Sequence, residues 1–155
     1  GHGSSKGDSH KGFTDVTATW TPQELEPFQQ MIESRKVDMI MTAHIFNKNL
    51  DAEYPATLSY KVNTELLRNK MHYEGVIITD DLQMAAIHEH YTLKETVTLA
   101  LNSGVDLLLF ANQLEKPIGL DAIVKVITAQ VNTGKISEKR INEAYIRVKK
   151  LKEKL

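Results

Sequence analysis

The sequence predicts an α/β fold in which parallel strands alternate with helices. Three apolar runs indicate this, because each is typical of a strand that is covered on both faces. Helical signals separate each run from the next, which is the order expected of parallel strands joined by right-handed crossovers. The runs lie at 37–42, 75–79 and 105–110. An open doubly wound sheet and part of a (β/α)8 TIM-like barrel both fit this order, but a complete barrel typically needs about 250 residues.

Capping and stop signals place the helices around these strands. Two capping boxes, Thr21-Pro22-Gln23-Glu24 and Thr92-Leu93-Lys94-Glu95, predict a helix over 22–35 and another that Gly104 ends. Further helices are predicted after Ser59, over 118–132 and, capped by Ser137, over 138–153. Residues 1–20 are rich in Gly, Ser, Thr and Asp without a sustained period, so they are predicted to form a long loop.

The composition is that of one globular domain over 1–155. The chain is 41% apolar and 25% charged, with 19 basic against 20 acidic residues, so nothing in its charge indicates a nucleic-acid or anionic-membrane partner. No apolar run approaches the ~18–20 residues of a membrane span. Cysteine is absent, which excludes disulfides and thiolate metal sites.

Two adjacent carboxylates follow the second predicted strand directly. Asp80 and Asp81 come after Gly75-Val76-Ile77-Ile78-Thr79, at the strand end where parallel sheets bind ligands. Asp is also a common helix N-cap, and Asp81 suits that role because helical spacing restarts at Leu82. The sequence therefore predicts a cap at Asp81 and a ligand-facing carboxylate at Asp80.

A second group of chemically versatile residues lies in the glycine-rich loop. In Gly7-Asp8-Ser9-His10-Lys11-Gly12, the His10 imidazole could transfer a proton and the Asp8 carboxylate could orient it. A solvated loop is the ordinary alternative for such a composition. A metal site made from His2, Asp8 and His10 lacks any ligand-spacing signature, and we expect neither a metal nor a cofactor.

Several motifs together resemble a known enzyme family. The ordered set resembles the second half of the catalytic barrel of glycoside hydrolase family 3, most closely its β-N-acetylhexosaminidase branch. The motifs are Gly1-His2-Gly3-Ser4-Ser5, Gly7-Asp8-Ser9-His10, Asp15-Val16-Thr17, Ala43-His44-Ile45, Pro55-Ala56-Thr57-Leu58-Ser59, Gly75-Val76-Ile77-Ile78-Thr79-Asp80-Asp81-Leu82-Gln83-Met84 and Ala100-Leu101-Asn102-Ser103-Gly104-Val105-Asp106.

The resemblance implies a role for each candidate residue. Asp80 matches the family's nucleophile, His10 the acid/base of this branch and Asp8 its dyad partner. His2 and His44 are candidate substrate-binding residues, although a structural role for His44 at the barrel mouth is an open alternative. The implied reaction is retaining hydrolysis of terminal β-linked N-acetylglucosamine, as in chitin or peptidoglycan fragments.

The resemblance also implies that the first half of the barrel lies outside this sequence. Part of the sugar-binding pocket would then be missing, and we expect the isolated chain to be nearly inactive. Three strands cut from a closed barrel have two unpaired edges, so a homodimer through those edges is a further expectation. The alternative function is a non-catalytic half-barrel that serves as a sugar-binding or assembly module.

Overall fold

A computed structural model describes residues 2–8, 12–113 and 117–154. The central pair of strands in this structure confirms the prediction of parallel strands. In chain order the main elements are β1 (Thr14–Asp15), α1 (Glu26–Glu33), β2 (Met39–Met41), β3 (Ile45–Phe46), a π-helix (Lys61–Lys70), β4 (Val76–Ile78), α2 (Ala85–His88), α3 (Leu93–Ser103), α4 (Leu120–Asn132) and α5 (Glu138–Lys152). Strand β2 pairs in parallel with β4, with Ile40 opposite Ile77.

The third predicted strand is less regular than its apolar run suggests. Residues 105–110 contribute one parallel bridge, between Leu107 and Ile78, rather than a full strand. Backbone hydrogen bonds nevertheless fix the run beside β4: Asp106 N donates to Ile77 O at 2.8 Å, and Thr79 N donates to Leu107 O at 3.1 Å. The three runs therefore lie in chain order, with β4 in the middle.

A second, two-stranded parallel pair lies outside the predicted elements. Strand β1 falls within the region predicted to be a loop, and it pairs with β3 so that Thr14 lies opposite Ile45. Strands of two residues are too short to show any sequence period, which is why the loop prediction over 1–20 is wrong at this point.

The helix signals are confirmed with small shifts of their bounds. A 3-10 turn over Pro22–Leu25 precedes α1, and Thr21 N donates to Glu24 Oε1 at 3.0 Å, as a capping box requires. The hydroxyl of Ser59 accepts the N–H of Val62 at 3.1 Å at the start of the π-helix. Helix α3 ends at Gly104, whose φ of 110° is unfavourable for residues with a side chain.

The two faces of the sheet differ in how well they are covered. Ile40 and Ile77 point toward the helices and are 8% and 0% exposed. In contrast Met39 and Met41, which flank Ile40 on β2, are 42% and 50% exposed. Because neighbouring side chains of a strand alternate between faces, one face of β2 is packed and its other face lies open. On β4 the neighbour of Met39, Val76, is 1% exposed, so the open region is confined to β2.

A buried ion cluster joins the amino ends of the strands to the helices. Asp106 is 7% exposed and accepts hydrogen bonds from three guanidinium groups, at 2.5 Å from Arg68, 2.6 Å from Arg140 and 3.0 Å from Arg147. Its Oδ2 also accepts the N–H of Ile77 at 3.1 Å. One carboxylate thus connects the π-helix, α5 and the first residues of two strand segments.

Within the residues that the structure describes, none of the helices combines the length and apolar character that crossing a bilayer demands.

Candidate active site

Asp80 lies where the central strand ends. Its N–H donates to the carbonyl of Thr42, at the end of β2, at 3.1 Å. Its Oδ1 accepts the N–H of Asp81 at 2.8 Å, and the residue is half-buried. Among the described residues Oδ2 of Asp80 has no hydrogen-bond partner. One oxygen of the carboxylate is therefore fixed, and the other is available to a ligand.

Asp81 links two strand ends and does not cap a helix. Its Oδ1 accepts two N–H groups, those of Gln83 and Ala111, both at 3.1 Å. Helix α2 begins only at Ala85, with Met84 at the N-cap position, so the predicted cap at Asp81 and the restart at Leu82 are wrong. The reason is tertiary: the N–H of Leu82 donates to Leu109 O at 3.0 Å, which holds this segment against the third run.

His44 is buried beneath the acidic turn and is 1% exposed. Its Nδ1 lies 2.9 Å from the Thr57 hydroxyl, and its Nε2 lies 2.8 Å from the carbonyl oxygen of Asp81. Burial lowers the pKa of His44, against the opposing effects of the Asp81 carbonyl and of the Asp80 and Asp81 carboxylates. Both ring nitrogens are thus engaged within the chain, and a sugar contact would require one of these hydrogen bonds to break.

Two of the loop candidates, His2 and Asp8, lie in the first described segment. His2 lines an apolar groove of about 470 Å³ together with Trp20 and Met41. Asp8 is exposed. His10, the predicted acid/base, lies outside the described residues, so its position relative to Asp80 stays a prediction.

Several residues that hold the acidic turn were not identified from the sequence. Thr57 acts through its hydroxyl and Thr42 through its backbone carbonyl. They lie in the motif 55–59 and the run 37–42, but nothing in the sequence assigned either of them to the site. Gln83 is 4% exposed, and its Oε1 accepts the N–H of Asn112 at 2.7 Å. Among the described residues there is no group of three or more His, Asp or Glu side chains that could hold a metal ion.

Comparisons with known proteins identify relatives of this chain. Residues 1–151 match the model of the glycosyl hydrolase family 3 N terminal domain. Beta-hexosaminidase A of Pseudoalteromonas piscicida is 31% identical over 172 aligned positions, covering 100% of this chain and 29% of the relative. A beta-hexosaminidase of Haemophilus influenzae is 38% identical over 118 positions, covering 74% of this chain and 33% of the relative.

A solved structure shares the fold over almost the whole chain. It is a glycoside hydrolase family 3 beta-N-acetylglucosaminidase from Paenibacillus sp. str. FPU-7, with a TM-score of 0.87 and 35% identity over 99% of this chain and 29% of that protein. The chain thus spans about a third of the length of these relatives. The extent of the family match shows that this chain belongs to glycosyl hydrolase family 3, whose N-terminal domain has a TIM-barrel-like α/β fold.

Proposed function

We propose that this chain supplies the nucleophile of a retaining β-N-acetylhexosaminidase. The observation that supports this most directly is the Asp80 carboxylate at a strand end, with Oδ1 held by the Asp81 N–H at 2.8 Å and Oδ2 without a partner among the described residues. A carboxylate fixed by one oxygen can approach an anomeric carbon with the other, which is the arrangement that covalent glycoside hydrolysis needs.

The proposed reaction has two steps. In the first, Asp80 attacks the anomeric carbon while His10, as an imidazolium, gives its proton to the departing glycosidic oxygen. The products are a glycosyl ester on Asp80 and the released alcohol. In the second, neutral His10 takes a proton from water, whose oxygen attacks the same carbon and restores the Asp80 carboxylate. Asp8 would stabilise the charged ring of His10. Each step inverts the configuration at the anomeric carbon, so the two steps together retain the β configuration.

The proposed substrate is a glycoside with a terminal β-linked N-acetylglucosamine. The similar proteins are named beta-hexosaminidases and a beta-N-acetylglucosaminidase, which supports this sugar class. Chitin and peptidoglycan fragments both present such a residue. His2 is proposed to contact the sugar, because the groove that it lines extends to Thr42, whose carbonyl accepts the N–H of Asp80.

We further propose that the chain acts as the C-terminal part of a (β/α)8 barrel. Met39 and Met41 are exposed on the open face of β2, where a complete barrel would pack its interior. Positioning can supply about 7–11 kcal/mol of an enzyme's barrier reduction, so a partial pocket should be a very poor catalyst.

The isolated chain is accordingly expected to associate and to turn over almost nothing. Light scattering of purified 1–155 should give the mass of a dimer, because unpaired strand edges recruit other strands. The reference is a protein in which this chain is joined to the rest of the proposed barrel, called the longer protein below. The isolated chain should hydrolyse nitrophenyl β-N-acetylglucosaminide at least about 10²-fold more slowly than the longer protein, the loss that a small misplacement of reacting groups can cause. A monodisperse monomer would contradict the first expectation, and comparable turnover would contradict the second.

Trapping the intermediate tests the proposed nucleophile directly. The fluorine substituent of a fluorinated N-acetylglucosaminide destabilises the transition states for forming and for hydrolysing the glycosyl ester. A good leaving group speeds only the formation, so the ester should accumulate on the longer protein. Mass spectrometry of the digested protein should place the added sugar on the peptide that contains Asp80. An adduct on another carboxylate would assign the nucleophile elsewhere, and sugar binding with neither adduct nor turnover would favour a non-catalytic binding module.

A further inference from the structure

We propose that His44 is a positioning residue, which holds the Asp80 carboxylate in its reactive geometry by fixing the backbone of Asp81; this inference rests on the proposed function. The argument comes from a buried, neutral hydrogen-bond chain beneath the acidic turn.

The direction of each hydrogen bond in this chain is determined by chemistry. A carbonyl oxygen only accepts, so the contact of 2.8 Å to Asp81 O requires a proton on Nε2 of His44. Because burial lowers the pKa of His44, its ring is neutral at pH 7 and Nδ1 is an acceptor. The Thr57 hydroxyl, on a residue that is 0% exposed, therefore donates to Nδ1 at 2.9 Å.

The chain ends on the residue that holds the proposed nucleophile. The carbonyl of Asp81 accepts from His44 Nε2 and, at 3.0 Å, from the N–H of Met84. On the other side of the same residue, the N–H of Asp81 donates to Asp80 Oδ1 at 2.8 Å. Rotation of the Asp81 backbone would move this N–H and release the carboxylate. His44 opposes that rotation from within the core.

The alternatives for His44 explain less of this geometry. A sugar ligand needs an accessible ring nitrogen, whereas His44 is 1% exposed and both nitrogens are used. A purely structural histidine would contribute to folding but need not contact the residue that follows the nucleophile. These two roles differ in what a substitution does to kcat.

Conservative variants of the longer protein separate these roles. In His44→Gln the amide nitrogen can replace Nε2 as the donor to Asp81 O, whereas His44→Asn reaches only toward Thr57. We expect His44→Asn to lower kcat about 10²-fold, the effect of a small displacement of reacting groups, with KM changed less than about threefold. His44→Gln should retain most of kcat, and Thr57→Val should fall between the two.

Tyr73→Phe is the matched control. The Tyr73 hydroxyl is buried and donates to Val76 O at 3.1 Å, so its removal also deletes a buried side chain–backbone hydrogen bond, but at the opposite end of β4. It should lower the melting temperature and leave kcat unchanged. If His44→Asn lowers the melting temperature as Tyr73→Phe does and leaves kcat at the wild-type value, the positioning role is wrong.

Amide hydrogen exchange provides a readout that does not depend on glycosidase activity. Exchange at the N–H of Asp81 should accelerate at least about tenfold in His44→Asn and stay unchanged in Tyr73→Phe. Unchanged exchange in both variants would overturn the inference even if the protein hydrolyses glycosides. Two results would refute the proposed function: a wild-type protein without glycosidase activity, or full activity in Asp80→Asn. If exchange at the N–H of Asp81 is still accelerated in His44→Asn, the link from His44 to Asp81 is supported in either case.

Discussion

Asp80→Asn is expected to lower kcat of the longer protein by about 10⁴-fold or more, the order of loss seen when a catalytic nucleophile is removed. The amide is nearly isosteric and can still accept the Asp81 N–H through its oxygen, which lies at 2.8 Å in the carboxylate form. It lacks the negative charge needed to attack the anomeric carbon. The fold and the affinity for N-acetylglucosamine should therefore persist while turnover is lost.

Steady-state hydrolysis of a nitrophenyl β-N-acetylglucosaminide measures this loss, and calorimetric titration with the free sugar measures the affinity. Asp38→Asn is the matched control, since Asp38 is an exposed carboxylate near the amino end of the neighbouring strand, paired with Lys154 at 2.5 Å. It should leave kcat unchanged. More than a tenth of wild-type activity in Asp80→Asn would rule out Asp80 as the nucleophile.

Asp106→Asn is expected to produce the largest loss of stability. Asp106 is the carboxylate shared by Arg68, Arg140 and Arg147, and its side chain is 0% exposed. Removing one partner of a buried ion pair typically costs about 3–5 kcal/mol, because the remaining charges stay buried without compensation. For a chain of this size that corresponds to a fall in melting temperature of roughly 10 °C.

Thermal and urea unfolding followed by circular dichroism measure this effect on the chain itself. Asp38→Asn again serves for comparison, because the side chains of Asp38 and Lys154 are 59% and 64% exposed and such pairs contribute at most about 1 kcal/mol. If the free energy of unfolding of Asp106→Asn lies within 1 kcal/mol of the wild-type value, the three guanidinium charges do not depend on Asp106 for stabilisation.

Much of the fold could be predicted because its signals are local. The capping boxes at Thr21 and Thr92 and the stop at Gly104 mark helix ends through contacts within three or four residues. The apolar runs identified β2 and β4 for the same reason. Strand β1 was missed because it exists only through its pairing with β3, and two residues contain no period.

The site was predictable only in part, for a related reason. Asp80 could be singled out because it directly follows a buried strand and matches a family motif. The hydrogen bonds of Asp81 and His44 join them to groups far away in sequence, such as Ala111 for Asp81 and Thr57 for His44. Likewise Asp106 lies at the start of the third apolar run, but nothing local identified its three arginine partners.

The ion cluster and the acidic turn are linked by the same central strand but lie at its opposite ends. Asp106 accepts the N–H of Ile77. Asp80 follows Ile77 by three residues, which places the two residues about 10 Å apart at the rise of an extended chain. Substitutions separated by that distance usually combine additively. Chimeras that exchange the loops around Asp80 among family members should therefore keep the thermal tolerance of the parent, as long as the arginine-bound aspartate is left in place.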